Sequence, residues 1–251
     1  MLEIRDLLVE AGGRRLLQLD NLTLPAGQFV ALLGPNGAGK SSLLKAISGE
    51  VGCRGELLFH GQSLRHWNPQ ERARHVAVLP QASSLTFPFS AREVVEMGLM
   101  PLSLSRQAGA DVVRAAMIDA DCLHLAARSF PGLSGGEKQR VHLARVLVQL
   151  VQAEKTPLLL LDEPVSAQDL GQQHNILRLA VRLAQQRGIT VLAVLHDLNQ
   201  VLRYGMRCLV LAEGELVADG EPEAVLTPHR IEEVWGYRPE RYTTEERFAL
   251  L

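Results

Sequence analysis

Apolar residues fall into two kinds of run along this chain. Phe29 to Leu33, Leu158 to Leu161 and Val191 to Leu195 are short and continuously apolar, as strands are when both faces of a sheet are covered. Elsewhere the apolar positions recur with helical spacing: in Ser41 to Ile47, residues Leu43, Leu44 and Ile47 share one face. Such alternation in the first and last thirds predicts an α/β protein built on a parallel sheet. The middle of the chain differs. From about Arg92 to Val151 no strand run appears, and Glu93 to Met97, Asp111 to Ala120 and Glu137 to Val151 read as helices, with Pro101, Gly109, Pro131 and Gly132 as breakers. The expectation is a helical insertion in the sheet domain. Thr227 before Pro228 predicts the N-cap and first turn of a last helix through Ile231 and Val234.

Composition narrows the class. The 251 residues exceed one average domain. With 47% apolar but only 4% aromatic residues, the core must be built from Leu, Val and Ala. The 26 basic and 28 acidic side chains nearly cancel and form no block of one sign. A protein gripping nucleic acid by its charge is therefore not expected. No apolar run approaches the roughly 18 residues that span a bilayer. Met1 to Asp6 lacks a basic region leading into an apolar stretch, so a cytoplasmic location is expected. Cys53, Cys122 and Cys208 are scattered, which fits reduced thiols rather than a disulfide frame. Cys122 and His124 are close in sequence, but no second ligand pair accompanies them.

Candidate chemistry begins at Gly34, Pro35, Asn36, Gly37, Ala38, Gly39, Lys40 and Ser41, which fit the spacing G-x-x-x-x-G-K-[ST] between a predicted strand and a predicted helix. Glycines let the backbone fold around phosphates and turn its N–H groups inward, and the helix N-terminus adds favourable partial charge. Lys40 would reach the β and γ phosphates, and the Ser41 hydroxyl would form part of a Mg2+ shell. Leu158 to Leu161 ends in Asp162 and Glu163. Asp162 would stand beside the phosphate loop and orient Mg2+, while Glu163 is the candidate base for an attacking water. Val191 to Leu195 ends in His196, placed to donate a hydrogen bond to a γ-phosphate.

A phosphate loop and a strand-end acid are common to kinases, G proteins and transport motors. Leu133, Ser134, Gly135, Gly136 and Glu137 separate them. Ser134 and Glu137 have the S-x-x-E spacing of a capping box, and two glycines leave that helix N-terminus open to an anion. With these residues the chain resembles the ATP-binding cassette (ABC) ATPases over essentially its whole length. The resemblance implies a P-loop NTPase (RecA-like) core sheet with an inserted helical subdomain, the ABC ATPase architecture. Its expected boundaries are 1–84 and 155–251 for the core and 85–154 for the helical signature subdomain.

The resemblance also assigns roles. Gln81 matches the glutamine that joins core to insertion and contacts Mg2+ and the attacking water. Ser134, Gly135 and Gly136 match the signature that binds ATP held by the opposite subunit. Asp162 and Glu163 match the strand-end acids, His196 the switch histidine, and Ser166 to Asp169 the loop that crosses the dimer interface. Ser42 replaces a common threonine and keeps a hydroxyl. Gln168 replaces a customary leucine, with little effect expected because Asp169 is kept. Ala11 lies near where relatives often carry an aromatic that stacks on adenine, and Arg14 or Arg15 is the expected substitute.

One cassette per chain and the absence of membrane helices then imply a homodimer of ATPase subunits at the cytoplasmic face of the cell inner membrane. Two transmembrane permease subunits and a periplasmic or extracellular substrate-binding protein complete the implied assembly. Phe87 and Phe89 are candidate anchors for a permease helix. Leu79 to Phe89, Leu195 to Asn199 and Val225 to Pro228 look most like the importer ATPases for haem, with vitamin B12 and ferric-siderophore importers close behind. A soluble, non-transport cassette ATPase is the rival reading.

Overall fold

The computed structural model describes residues 1–81, 87–243 and 248–250, with backbone alone for 241–243 and 248–250. The expected parallel sheet has six strands in the order β10-β9-β3-β8-β7-β6: β3 (Phe29–Leu33), β6 (Val76–Leu79), β7 (Leu158–Asp162), β8 (Thr190–Val194), β9 (Arg207–Ala212) and β10 (Glu215–Gly220). All neighbours are parallel except β10, which pairs antiparallel with β9.

Side chains alternate across this sheet, yet both faces are covered. Phe29, Ala31, Leu33, Leu159, Leu161, Val191 and Ala193 point into one core, and Val30, Leu32, Leu158, Leu160, Leu192 and Val194 into another. That is why Phe29–Leu33 of β3, Leu158 to Leu161 of β7 and Val191 to Val194 of β8 are continuously apolar. Each fully buried leucine of β7 contributes about 1.5–3 kcal/mol relative to an exposed one.

The second core is closed by a sheet whose strands carry no long continuous apolar run. β1 (Leu2–Ala11), β2 (Arg14–Leu24), β4 (Arg54–Phe59) and β5 (Gln62–Ser63) form an antiparallel sheet in the order β2-β1-β4-β5. Its strands bury one face only, so Leu2, Ile4, Leu7 and Val9 are buried between exposed or half-buried neighbours. The switch in register beyond Ile4 is made at Asp6, whose φ is 48°. α1 (Lys40–Ser48) lies in the same core through Leu43, Leu44 and Ile47. α2 (Pro69–His75) leads into β6.

Between β6 and β7 the described elements are all helical, as expected: α3 (Ala91–Glu96), α4 (Arg106–Asp119) and α5 (Gly135–Gln149), with short 3-10 turns. Ser90 and Glu93 close a capping box at the start of α3. Gly109 corrects the expectation. It lies inside α4 rather than breaking a helix, because Leu99 packs so closely that a Cβ there would sit 3.3 Å from its methyl group. The remaining helices are α6 (Leu170–Arg187), α7 (Leu198–Tyr204), α8 (Pro222–Val225) and α9 (Pro228–Trp235). Thr227 caps α9 by accepting the Arg230 N–H, as its sequence predicts. β11 (Arg241–Thr243) and β12 (Phe248–Leu250) pair antiparallel near the C-terminus.

Strand order is what builds the site. β3, β8, β7 and β6 are consecutive and parallel, so the segments leaving them emerge side by side at one edge. These segments are the Gly34 loop, His196, Asp162 with Glu163, and Gln81.

Candidate active site

The Gly34–Ser41 loop runs directly from β3 into α1. Gly34 has φ 148°, and a Cβ there would lie 2.2 Å from the Leu211 carbonyl oxygen, so no side chain fits where the loop crosses β9. Lys40 is buried and donates to the carbonyl oxygens of Gly34 at 2.7 Å and Pro35 at 2.9 Å. Burial draws its pKa below the usual lysine range, opposed by the charges of Glu163 and Asp162. The ammonium thus sits inside the loop curl with both acids near it. A cleft of about 360 Å3 opens here, lined by Asn36, Gly37, Ala38, Gly39, Lys40, Ser41, Ser42, Gln81 and Glu163 together with Leu16.

Across this cleft Ser41 Oγ donates to Asp162 Oδ1 at 3.5 Å. Burial raises the Asp162 pKa from its ordinary value, and the Ser41 hydrogen bond pulls the other way. A hydroxyl and a half-buried carboxylate that face each other at this separation are hard oxygen donors of the kind Mg2+ takes alongside phosphate oxygens and water.

Glu163 is the hub. Its carboxylate accepts from Gln81 Nε2 at 2.7 Å and meets His196 Nε2 at 2.7 Å. Three residues from the ends of β6, β7 and β8 therefore converge on one carboxylate group at the mouth of the phosphate loop. The Glu163 side chain is 18% exposed while His196 is 47% exposed, so the carboxylate is sheltered and the imidazole reaches solvent.

Ser134, Gly135 and Gly136 stand elsewhere. Ser134 caps α5 and forms the predicted capping box with Glu137, whose pKa is held below the usual carboxylate range chiefly by the Ser134 N–H and hydroxyl. None of the three lines the cleft with Lys40. Gly135 and Gly136 abut the Ser166–Asp169 loop instead, and Asp169 caps α6 through the Gln172 N–H at 2.9 Å.

A second cleft, of about 910 Å3, adjoins the phosphate loop through Pro35, Asn36, Gly37 and Ala38. Arg14, Arg15 and Leu16 line it from β2 and Arg230, Glu233 and Val234 from α9, whereas Ala11 does not. The two arginines are expected there from the sequence and α9 is not, because nothing local links residues more than 200 positions apart. Phe87 and Phe89 divide: Phe87 is 70% exposed, but Phe89 corrects the expectation of a paired anchor by packing into the helical core.

Comparison with known proteins is consistent across the chain. The ABC transporter family model matches residues 17–166. The chain is 51% identical over 234 residues to the hemin import ATP-binding protein HmuV of Vibrio cholerae, covering 93% of this chain and 90% of that protein. It is 49% identical over 247 residues to the protein of the same name from Shewanella denitrificans, covering 98% and 97%. A bacterial ABC transporter cassette solved as a dimer superposes with a TM-score of 0.78 at 26% identity, covering 88% of this chain and 99% of the other.

Proposed function

The chain belongs to the ABC transporter ATPases, and from that membership we propose that it is the ATP-hydrolysing subunit of an importer that energises haem (hemin) uptake through a separate permease. The observation that carries the hydrolytic reading is the Glu163 carboxylate, held 2.7 Å from both Gln81 and His196 beside the phosphate loop. Glu163 accepts the proton of the attacking water, Gln81 orients that water, and His196 donates to the γ-phosphate. Lys40 and the loop N–H groups hold the β and γ phosphates. Ser41, Asp162 and Gln81 would hold Mg2+, which supplies charge neutralisation between the phosphates when bound.

The signature residues do not line their own chain's cleft, so a complete site takes Ser134, Gly135 and Gly136 from a second copy. In a two-fold dimer each chain then gives its phosphate loop to one site and its signature to the other. The similar cassette solved as a dimer supports this pairing. Residues 85–154 are proposed to act as one helical unit between the two core segments, 1–84 and 155–251. Among the described residues no helix is long and apolar enough to cross a membrane. The proposed motor therefore docks on two permease subunits at the cytoplasmic face of the membrane, with a substrate-binding protein delivering cargo from the far side.

Haem as cargo rests on the relatives named for hemin import at 51% and 49% identity. The test is ATP hydrolysis by the chain reconstituted with its permease in vesicles. Haem on the binding protein should stimulate turnover. Stimulation by cobalamin or a ferric siderophore and not by haem would replace the cargo, and no dependence on the permease would remove the transport role.

A further inference from the structure

Gln168 is not the inert replacement that its sequence suggests. Its Nε2 donates to the Gly136 carbonyl at 2.9 Å and to Gln139 Oε1 at 3.2 Å, while its Oε1 accepts from Arg140 at 3.1 Å. Gln139 is buried, 7% exposed, and its Nε2 donates to the Glu163 carbonyl at 2.9 Å. These two amides run without a break from the signature turn to the backbone of Glu163. The contact is tight at its outer end. A Cβ on Gly136 would stand 2.8 Å from the Ala167 carbonyl and 2.9 Å from Gln168 Oε1, so the residue type there is what lets the loop and helix meet.

The inner end carries strain. Glu163 has φ 50°, a left-handed conformation that costs a non-glycine residue roughly 1–3 kcal/mol and persists only where its surroundings enforce it. The contacts on its carbonyl oxygen are Gln139 Nε2 at 2.9 Å, Ser166 Oγ at 3.1 Å and the Ser166 N–H at 3.3 Å. Of these donors only Gln139 comes from another element, α5, so it ties the Glu163 carbonyl to that helix by a hydrogen bond contributing about 0.5–1.5 kcal/mol. Relaxing Glu163 to an ordinary backbone conformation would swing its carboxylate away from Gln81 and His196.

We propose that Gln139 and Gln168 are positioning residues for hydrolysis, holding the Glu163 backbone left-handed so that its carboxylate stays between Gln81 and His196. This rests on Glu163 being the base. Neither amide lines the cleft with Lys40, so their loss should act on turnover and not on binding. A displacement of about 1 Å at a reacting group can cost up to roughly 100-fold in rate.

Steady-state ATP hydrolysis by the full chain tests this, with Glu163→Gln measured alongside. Gln139→Met, which keeps shape and removes the donor, should lower kcat at least about tenfold while KM for ATP stays within about twofold. Gln168→Leu should lower kcat less, and the double variant should be no slower than Gln139→Met alone, because both act through one connection. Unchanged kcat in Gln139→Met, a rise in KM alone, or effects that multiply in the double variant would overturn the proposal while leaving Glu163 as base, provided Glu163→Gln is inactive. Turnover retained by Glu163→Gln would overturn both. If Gln139→Met fails to bind nucleotide, Gln168→Leu decides: a lower kcat at constant KM supports the connection, and wild-type kinetics refute it.

Discussion

Lys40 is the residue whose surroundings are most informative. It is nearly buried, lies against two carbonyl oxygens and has two acids nearby, so its charge is held inside the loop, where the proposed function puts phosphate. Lys40→Ala should weaken nucleotide binding by roughly 10- to 100-fold, the worth of a charge-assisted hydrogen bond or two; unchanged affinity in a titration with fluorescent ATP would refute that use. Glu163→Gln keeps the shape and the Gln81 neighbour but removes the proposed base. Turnover should fall at least about 100-fold, while ATP-dependent dimers persist in gel filtration. The thiols give a third residue-scale expectation. Burial pushes Cys122 and Cys208 up to about 12, and Cys53 is only half-buried. One thiol should react with a thiol reagent in the native protein and three in denaturant; three fast thiols in the native protein would contradict the burial.

At the scale of the element, α5 combines a functional end with a costly middle. Its capping box positions Ser134, and farther along His142 is buried with neither ring nitrogen paired among the described residues, its ring 5.0 Å from Phe130. Burial, with the nearby Arg145 charge adding to it, lowers the His142 pKa from 6.5 to about 4. In the unfolded chain this imidazole takes up a proton near its ordinary value, whereas the folded protein resists until about pH 4. Stability is therefore full above about pH 6.5 and is lost as the pH falls toward 4, by about 3 kcal/mol. Urea midpoints at pH 7.5 and 4.5 should differ less in His142→Leu than in the wild type. An identical difference in both would mean that another group carries the acid sensitivity.

The whole molecule adds a requirement that no element carries. Ser134 and Lys40 belong to one chain but not to one cleft, so the proposed site draws its two halves from two copies. Complementation can read this directly. Chains bearing Lys40→Ala and chains bearing Ser134→Arg should each be inactive, while a mixture of the two recovers part of the ATPase activity. That recovery follows because the mixed dimer joins one intact loop to one intact signature. No recovery on mixing, with both variants folded, would place the complete site within a single chain.

What the sequence determined by itself is local chemistry and burial. A strand covered on both faces must be apolar throughout, which exposed β3, β7 and β8. A phosphate loop needs glycines at fixed spacing, and a capped helix needs Ser134 and Glu137 three apart. The antiparallel sheet was also legible, but as alternation rather than as runs. Tertiary structure alone decided which strand ends are neighbours, and so that Gln81 and His196 meet on Glu163. It also decided that α9 faces the phosphate loop across a cleft and that Gln168 reaches Gly136 and Gln139. The reason is physical: spacing along the chain constrains a residue's own backbone and its nearest turns, whereas hydrogen bonds between Gln139, Gln168 and Glu163 depend on how separate elements are packed.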